Sequence, residues 1–411
     1  PWFCFAVFLL VTFPAVAAPP EDRPGQKFHI RPSEMPVPYA TRSASNGTDV
    51  IRRRANQTPV VPAGYQVNIF AEGLSHARWM AVAPNGDVFL AQTGIDEIKL
   101  LVDTDADGRA DDVTPFVTGL DGPHGLAFRD GRLYIADLRG IWQLPYLAGQ
   151  RRAVQAPERI TPPGAFGDSG GHWTRNIAFA ADGRFIFAAI GSASNIGEDS
   201  PPRATITRFN ADGTGGRTFA GGLRNPVGIA VHPQTGALYT VVNERDGLGD
   251  GLVPDFLTMV LDGGFYGWPY AYIGANPQPG FAARRPDLVR QSIVPDVLFQ
   301  AHSAPLGLVF ADSDQFPPDW RDDALVALHG SWNAASPTGY KVVRVPFENG
   351  RPTGGYENFV TGFWVDTARG WSGAMTAQVI GRPAGLALAR DGSLLIADDV
   401  ANVVWRVRKA P

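Results

Sequence analysis

Residues able to do chemistry recur at one kind of place in this chain of 411 residues: the turn that leads into a short apolar run. Arg224 and Asn225 stand side by side in Gly222-Leu223-Arg224-Asn225-Pro226. A residue ahead of proline is pushed out of the helical region, so the pair is expected on a turn. Arg78, His124, His172 and Arg382 hold corresponding positions ahead of other such runs; His302 precedes a further one and His329 ends its second strand. Guanidinium groups that converge on a pocket suit carboxylate or phosphate groups on a ligand. An imidazole among them is a candidate general base with a useful pKa.

Two further stretches are rich in oxygen. In Asp103-Thr104-Asp105-Ala106-Asp107-Gly108-Arg109-Ala110-Asp111, acidic side chains at the first, third, fifth and ninth positions with Gly at the sixth follow the first part of a calcium loop. The predicted ligand set is Asp103, Asp105, Asp107, Arg109 and Asp111. Thr114 stands where a bidentate Glu would complete the loop, so that ligand is missing or comes from Asp112. The site is expected to be structural, and its alternative is a plain acidic turn. The second stretch, Asn243-Glu244-Arg245-Asp246-Gly247-Leu248-Gly249-Asp250, has enough oxygen-bearing and Gly positions to wrap a hard cation, a weaker signal. The aromatic run Gly263-Gly264-Phe265-Tyr266-Gly267-Trp268-Pro269-Tyr270 lacks phosphate-loop spacing and is expected on the rim of a pocket.

The elements that must position these residues form a repeat. Each unit reads turn, apolar strand, hairpin, apolar strand, as in Pro123-His124-Gly125-Leu126-Ala127-Phe128-Arg129-Asp130-Gly131-Arg132-Leu133-Tyr134-Ile135-Ala136. Equivalent positions Met80, Leu126, Ile177, Ile229, Leu308 and Leu386 are separated by 46, 51, 52, 79 and 78 residues. Six copies near this spacing predict an all-β fold, a six-bladed β-propeller of four-stranded blades, with loop insertions in the two long intervals. The 47 Gly and 35 Pro, and the absence of long 3.6-period patterns, agree with many short strands and turns. Tyr65–Phe70 is expected to pair with Val403–Val407 and close the ring. The loops feeding the innermost strands of a propeller gather round the central channel on one face, which would bring the arginines and histidines together.

Outside the repeat, residues 1–17 read as a signal peptide: Trp2–Val16 is almost wholly apolar, and Ala15-Val16-Ala17 is a small-residue cleavage pattern. That run is short of the ~20 residues a spanning helix needs, so no stable membrane insertion is expected after cleavage, and export makes the protein periplasmic or secreted. The sole cysteine, Cys4, lies inside this segment, which leaves residues 18–411 without thiol chemistry. Residues 18–62 are Pro-rich and unpatterned, a linker or a segment laid over the propeller of residues 63–411. A net charge of -4 gives no electrostatic footprint for nucleic acid. No Gly-x-Gly-x-x-Gly follows a strand, and neither His-Glu-x-x-His nor Gly-x-Ser-x-Gly occurs, which argues against nicotinamide, zinc-protease and α/β-hydrolase chemistry.

Taken together, Leu223-Arg224-Asn225-Pro226, the His172 turn, Gly264-Phe265-Tyr266-Gly267-Trp268-Pro269 and the repeat resemble the soluble quinoprotein sugar dehydrogenases, most nearly the sorbosone dehydrogenase-like branch. The likeness spans roughly residue 62 to the C-terminus. It implies a pyrroloquinoline quinone (PQQ) cofactor held over the channel with Ca²⁺, an aldose or sugar aldehyde as substrate, and a separate electron acceptor. Arg224, Asn225 and Arg382 match cofactor-contacting positions, and His172 matches the base that takes the substrate's hydroxyl proton as hydride passes to the quinone. Arg224 is placed beside it in the catalytic pair. The Glu244–Gly247 loop, with Asp246, matches the one that gives backbone oxygens to the catalytic Ca²⁺. His329 stands where the glucose-oxidising branch has a Lys, and His124 lies one residue beyond a family Gln; both are expected near the cofactor. Ile380 and Gly171 replace a second Arg and the Asp before the catalytic His.

Two other readings share the frame. A Ca²⁺-dependent lactonase-type hydrolase would need Glu, Asp and Asn side chains at the channel, where this chain carries mainly Arg and His. A non-catalytic binding propeller of the NHL kind would need no ionisable residues gathered at one mouth. Fold alone does not choose among them.

Overall fold

The structure is a computed structural model that describes residues 22–369 and 375–411; the predicted leader and Cys4 lie outside these residues. Among the described residues, strands and turns dominate, with a single short α-helix, Pro286–Gln291. Six sheets of four or five strands form the body of the molecule. Their inner strands are Ala77–Val82, Gly125–Arg129, Arg175–Phe179, Asn225–Val231, Pro305–Phe310 and Pro383–Leu388. Each packs against the next in that order, and the last packs against the first, a β-propeller-like ring. Hence the chain order of the repeats is also their order in space.

Hairpin chemistry sets the strand registers. In the second sheet Asp130 and Gly131 both take positive φ (48° and 72°), as a two-residue hairpin turn requires. Leu126 then sits opposite Ile135. Each sheet is apolar on both faces, and the large side chains fall into clusters shared by neighbours. Phe89, Phe116, Leu126 and Ile135 join the first and second sheets; Tyr134, Ile177 and Ile186 join the second and third. Phe187 and Ile229 continue the series, then Tyr239 with Val326, then Leu325 with Trp405, and finally Leu395 with Met80. Each buried aromatic or branched aliphatic residue contributes about 1.5–3 kcal/mol. A single sheet would expose one such face, so the sheets depend on one another for a core.

Glycine lets the inner strands meet. A Cβ on Gly228 would lie 2.5 Å from the Leu306 oxygen, and one on Gly307 2.4 Å from that of Ala384. Only glycine permits this backbone approach around the axis.

The sixth sheet is built from both ends of the repeat region. Tyr65–Ala71 pairs antiparallel with Val403–Lys409, Ile69 opposite Trp405, as the sequence predicts. The long intervals hold insertions: a ladder of Ala271–Tyr272 with Asn276–Pro277 and the helix in one, the hairpin of Trp364–Arg369 with Met375–Val379 in the other. Residues 22–62 run over the ring. Lys27–Phe28 adds a fifth strand to the fifth sheet, and Asp49–Val50 pairs parallel with Gln378–Val379. No helix of the described residues is long and apolar enough to cross a membrane.

Candidate active site

The ends where inner strands begin and second strands finish are adjacent in every antiparallel hairpin. In the fourth sheet Asn225 pairs with Asn243, and in the sixth Pro383 pairs with Asp398. The residues just beyond these ends therefore collect at one end of the ring: His124, Arg224 and Arg382 before inner strands, and Ser192, Glu244, His329 and Asp399 after second strands.

A cavity of about 220 Å³ opens here between the third, fourth and fifth sheets, and His172, Arg224, Asn225, Glu244 and Asp246 of the predicted set line it. His172 Nδ1 lies 3.0 Å from the Ser192 carbonyl and 2.9 Å from its hydroxyl, which in turn donates to the Ser194 carbonyl at 2.7 Å. A carbonyl accepts only, so Nδ1 carries the proton and Nε2 keeps its lone pair. Burial, reinforced by the Arg224 charge, pushes the His172 pKa down to about 4. The ring is neutral at pH 7. Gly191 makes room for it, since a Cβ there would meet the His172 Cβ at 2.6 Å and the Asn225 Oδ1 at 2.5 Å.

Arg224 is buried and spends its N–H groups on the protein. Nε donates to the Asn195 carbonyl (3.0 Å), Nη1 to the carbonyls of Asn243 (3.2 Å) and Glu244 (2.7 Å), and Nη2 to Asn195 Oδ1 (2.9 Å). Its charge thus stands fixed at the cavity wall, and burial lowers its pKa. Asn195, which the sequence reading missed, also binds the Asp246 backbone in both directions and takes the Trp268 indole N–H at 3.2 Å. Its only signal was its place in a polar turn after a strand. Trp268 thereby belongs to the supporting wall.

The carboxylates of this cavity are unequal. Asp246 faces Asn333 Nδ2 at 2.5 Å, His302 Nδ1 at 3.5 Å and Arg224 Nη2 at 3.6 Å. Burial opposes its ionisation, but the His302 bond and the Arg224 charge hold its pKa below the usual value. His302 responds in kind: burial works against its charge, yet Asp246 and Asp255 raise its pKa. Asp255 receives only the backbone N–H groups of Glu244 and Ala304, and burial pushes it up to about 6. Glu244 is raised by burial to about 7, and its Oε1 is buried without a partner. Asp255 was missed too, although a lone charge inside Val253-Pro254-Asp255-Phe256-Leu257 was legible.

An orphaned, buried carboxylate oxygen beside two further acids fits a hard cation, which takes such oxygens as ligands. The predicted set is modified in one respect. The Asp246 carbonyl already accepts from both Asn195 and Arg245, which occupies its two lone pairs, whereas the Glu244 carbonyl accepts from Arg224 and keeps a second lone pair for a metal. Asn225 Oδ1 and His302 Nε2 are likewise buried and unpartnered. Together with Arg224 they fit a ligand that carries both carbonyl or carboxylate oxygens and donors.

His124, His329 and Arg382 lie outside the cavity lining. His329 Nε2 donates to Asp399 Oδ1 at 2.8 Å, and Arg78 Nη1 binds Asp399 Oδ2 at 2.5 Å. Burial and the nearby Arg382 push the His329 pKa down to about 4, leaving it a neutral donor. Arg382 grips the carbonyls of His329 (2.9 Å) and Gly330 (2.5 Å). His124 is buried between Trp79 and Trp173, with ring centroids 5.1 and 5.7 Å away, and burial drives its pKa well down. Arg78 stacks 5.1 Å from the centre of the same Trp173 ring. Asp399 was not singled out in the sequence because its partners are remote in the chain.

The acidic turn sits apart from this face. Asp103, Asp105 and Asp111 bring carboxylate oxygens within 4.8 Å of one another, the only such group among the described residues. Asp107 instead caps the Arg109 N–H at 2.8 Å, and Asp112 turns away to Arg151 at 2.8 Å, so it does not supply the twelfth-position ligand.

Residues 59–253 and 289–410 match the family described as TrAA12-like. The chain belongs to this family. Among its relatives, an uncharacterized protein of Borreliella burgdorferi is 25% identical over 84% of this chain and 90% of its own length. A pyrroloquinoline quinone-dependent pyranose dehydrogenase of Coprinopsis cinerea is 25% identical over 85% of this chain, which spans 54% of that relative's length. The holo form of a Coprinopsis cinerea pyranose dehydrogenase PQQ domain superposes with a TM-score of 0.72 at 20% identity, covering 89% of this chain and all (100%) of that one. A Trichoderma reesei family AA12 structure gives the same TM-score, 0.72, at 18% identity, over 88% of this chain and 100% of that one.

Proposed function

We propose that this TrAA12-like chain is a PQQ-dependent oxidoreductase that oxidises an aldose or related sugar aldehyde, and that its six sheets are the blades of a six-bladed propeller. The observation that carries the chemistry is the neutral His172, its Nδ1 proton committed to Ser192 and its Nε2 lone pair free on a cavity wall. When bound, PQQ supplies an electrophilic quinone carbon that accepts hydride from the substrate. His172 Nε2 takes the hydroxyl proton from the same substrate carbon, so one C–H and one O–H bond break as the C=O bond forms. The Ser192 contacts hold the imidazole in the tautomer and orientation this needs. Arg224 fixes positive charge beside the reacting groups without spending substrate energy on ordering it. Asn225, His302 and, from the neighbouring cluster, Arg382, His329 and His124 make up the polar surroundings of the cofactor.

Ca²⁺ is placed at the Glu244–Gly247 loop with Asp246, where Glu244 Oε1 lacks a partner. A second, structural Ca²⁺ is placed at Asp103, Asp105 and Asp111, with Asp107 and Arg109 shaping the turn. The electron acceptor is a separate molecule, and the leader implies export. A lactonase reading is disfavoured although Asn225, Asn243, Glu244, Asp246, Asp255 and Asn333 line the cavity, because among the described residues three acidic or His ligand atoms come together only at Asp103, Asp105 and Asp111, away from it.

Titration with PQQ and Ca²⁺, followed by quinone absorbance and by dye reduction with an aldose panel, tests the reading. Saturable Ca²⁺-dependent binding lost in Arg224→Ala, with dye reduction lost but binding kept in His172→Ala, is the expected result. No binding at micromolar PQQ would overturn it.

A further inference from the structure

We propose that residues 39–50, a strap outside the family-matched region, are a positioning element of this active site that fixes the two loops forming the outer wall of its cavity. The family match begins at residue 59, so the strap lies ahead of the matched residues. It does not lie on an indifferent surface.

One loop it holds follows Asp246. The Tyr39 N–H donates to the Leu248 carbonyl at 2.6 Å, Thr41 Oγ1 accepts the Asp250 N–H at 2.8 Å, and Ser43 Oγ accepts the Gly249 N–H at 3.1 Å. The contact is close: a Cβ on Gly249, which has φ +117°, would stand 3.0 Å from the Thr41 carbonyl. The other loop carries Trp332 and Asn333. The Asn46 N–H donates to the Trp332 carbonyl at 2.8 Å, and the Asn46 side chain donates to the Met375 carbonyl. Thr48 Oγ1 meets the Tyr340 hydroxyl at 3.2 Å behind the same loop.

The two loops are also tied to each other, by Asp250 Oδ1 to the Ala335 N–H at 2.5 Å and by Asn333 to Asp246 at 2.5 Å. Trp332 and Asn333 line the cavity, yet the Trp332 residue is 53% exposed. An apolar ring kept in the open at the mouth needs its backbone held from behind, and the strap does that. Its flat face at the mouth, above polar groups that hydrogen-bond, suits a pyranose ring with one apolar face. Moving either loop would displace that face and Asp246 together.

The substrate half of this inference rests on the proposed dehydrogenase function, and the test separates the two. The variants are Thr41→Val with Ser43→Ala, which remove two hydroxyl acceptors at nearly constant volume, and Thr41→Ser as the conservative control. In the PQQ- and Ca²⁺-loaded full-length protein, each lost hydrogen bond at a positioning contact is expected to raise KM for the aldose about fivefold to tenfold. kcat should change less than about twofold, and Thr41→Ser should restore the wild-type KM. Amide hydrogen exchange at residues 246–250 and 331–335 should quicken in the double variant with the rest of the ring unchanged. An unchanged KM in an active enzyme would overturn the inference, as would kcat and KM effects that merely follow a fall in Tm. If the wild type shows no dye reduction, the function fails, and the exchange data still decide: no quickening at these loops sinks the strap's role.

Discussion

Asp399 and Glu244 are buried carboxylates at the same end of the ring, and they differ in how their charge is met. Asp399 has Arg78 at 2.5 Å and His329 at 2.8 Å. Burial works to raise its pKa, but those two neighbours hold it well below the usual carboxylate range. Glu244 has no side-chain cation in hydrogen-bond contact, and burial raises it to about 7 despite Arg224 nearby. The Asp399 carboxylate is met by protein groups from the first and fifth sheets, although Arg78 Nε beside it stays buried without a partner. The Glu244 side is incomplete without something from outside. One face thus holds a carboxylate already met by protein donors and, in the adjacent sector, one whose Oε1 has no partner, and the second is the one that needs a cation from outside.

Four substitutions sharpen or break this contrast. His172→Ala, on the open side, is expected to cut kcat about 10²–10⁴-fold while PQQ binding survives; a smaller loss in dye-coupled turnover would remove His172 as the base. Asp399→Ala, on the closed side, leaves Arg78 buried and unpaired and should cost about 3–5 kcal/mol in urea unfolding. A near-neutral result there would mean that the cluster is dispensable. Glu244→Gln should abolish most of the Ca²⁺-induced rise in stability, a term of about 2.7 kcal/mol at a hundredfold excess over Kd. What persists should vanish on further mutation of Asp105→Asn, which by itself should change the metal-free protein by less than about 0.5 kcal/mol.

A pH profile supplies the fifth and smallest effect. The base must be neutral, and its pKa is depressed to about 4, so kcat/KM should rise through that pH and stay level toward neutrality. Removing the Arg224 charge favours the protonated imidazole, so in the PQQ-free protein Arg224→Gln should raise the His172 pKa, read by NMR titration, toward the ordinary histidine value. An unmoved pKa would show that burial alone depresses it.

The all-β class, the repeats, the hairpin turns and the closure of Tyr65–Phe70 on Val403–Val407 were legible in the sequence, because alternation and turn chemistry are local and repeat with the fold. The sequence also marked which residues stand ahead of inner strands, hence Arg224, Asn225 and His172 at the cavity. Tertiary structure alone decided their partners. Arg78 and Asp399 are 321 residues apart, and Thr41 reaches Asp250 across 209. His329 and Arg382 are as regularly placed in the chain as Arg224, yet they sit by Asp399 outside the cavity lining, while unremarked Asn195 and Asp255 brace or line it. Local pattern fixes which end of a strand a side chain occupies. Its charge, tautomer and hydrogen-bond partner depend on which remote loops the closed ring brings beside it.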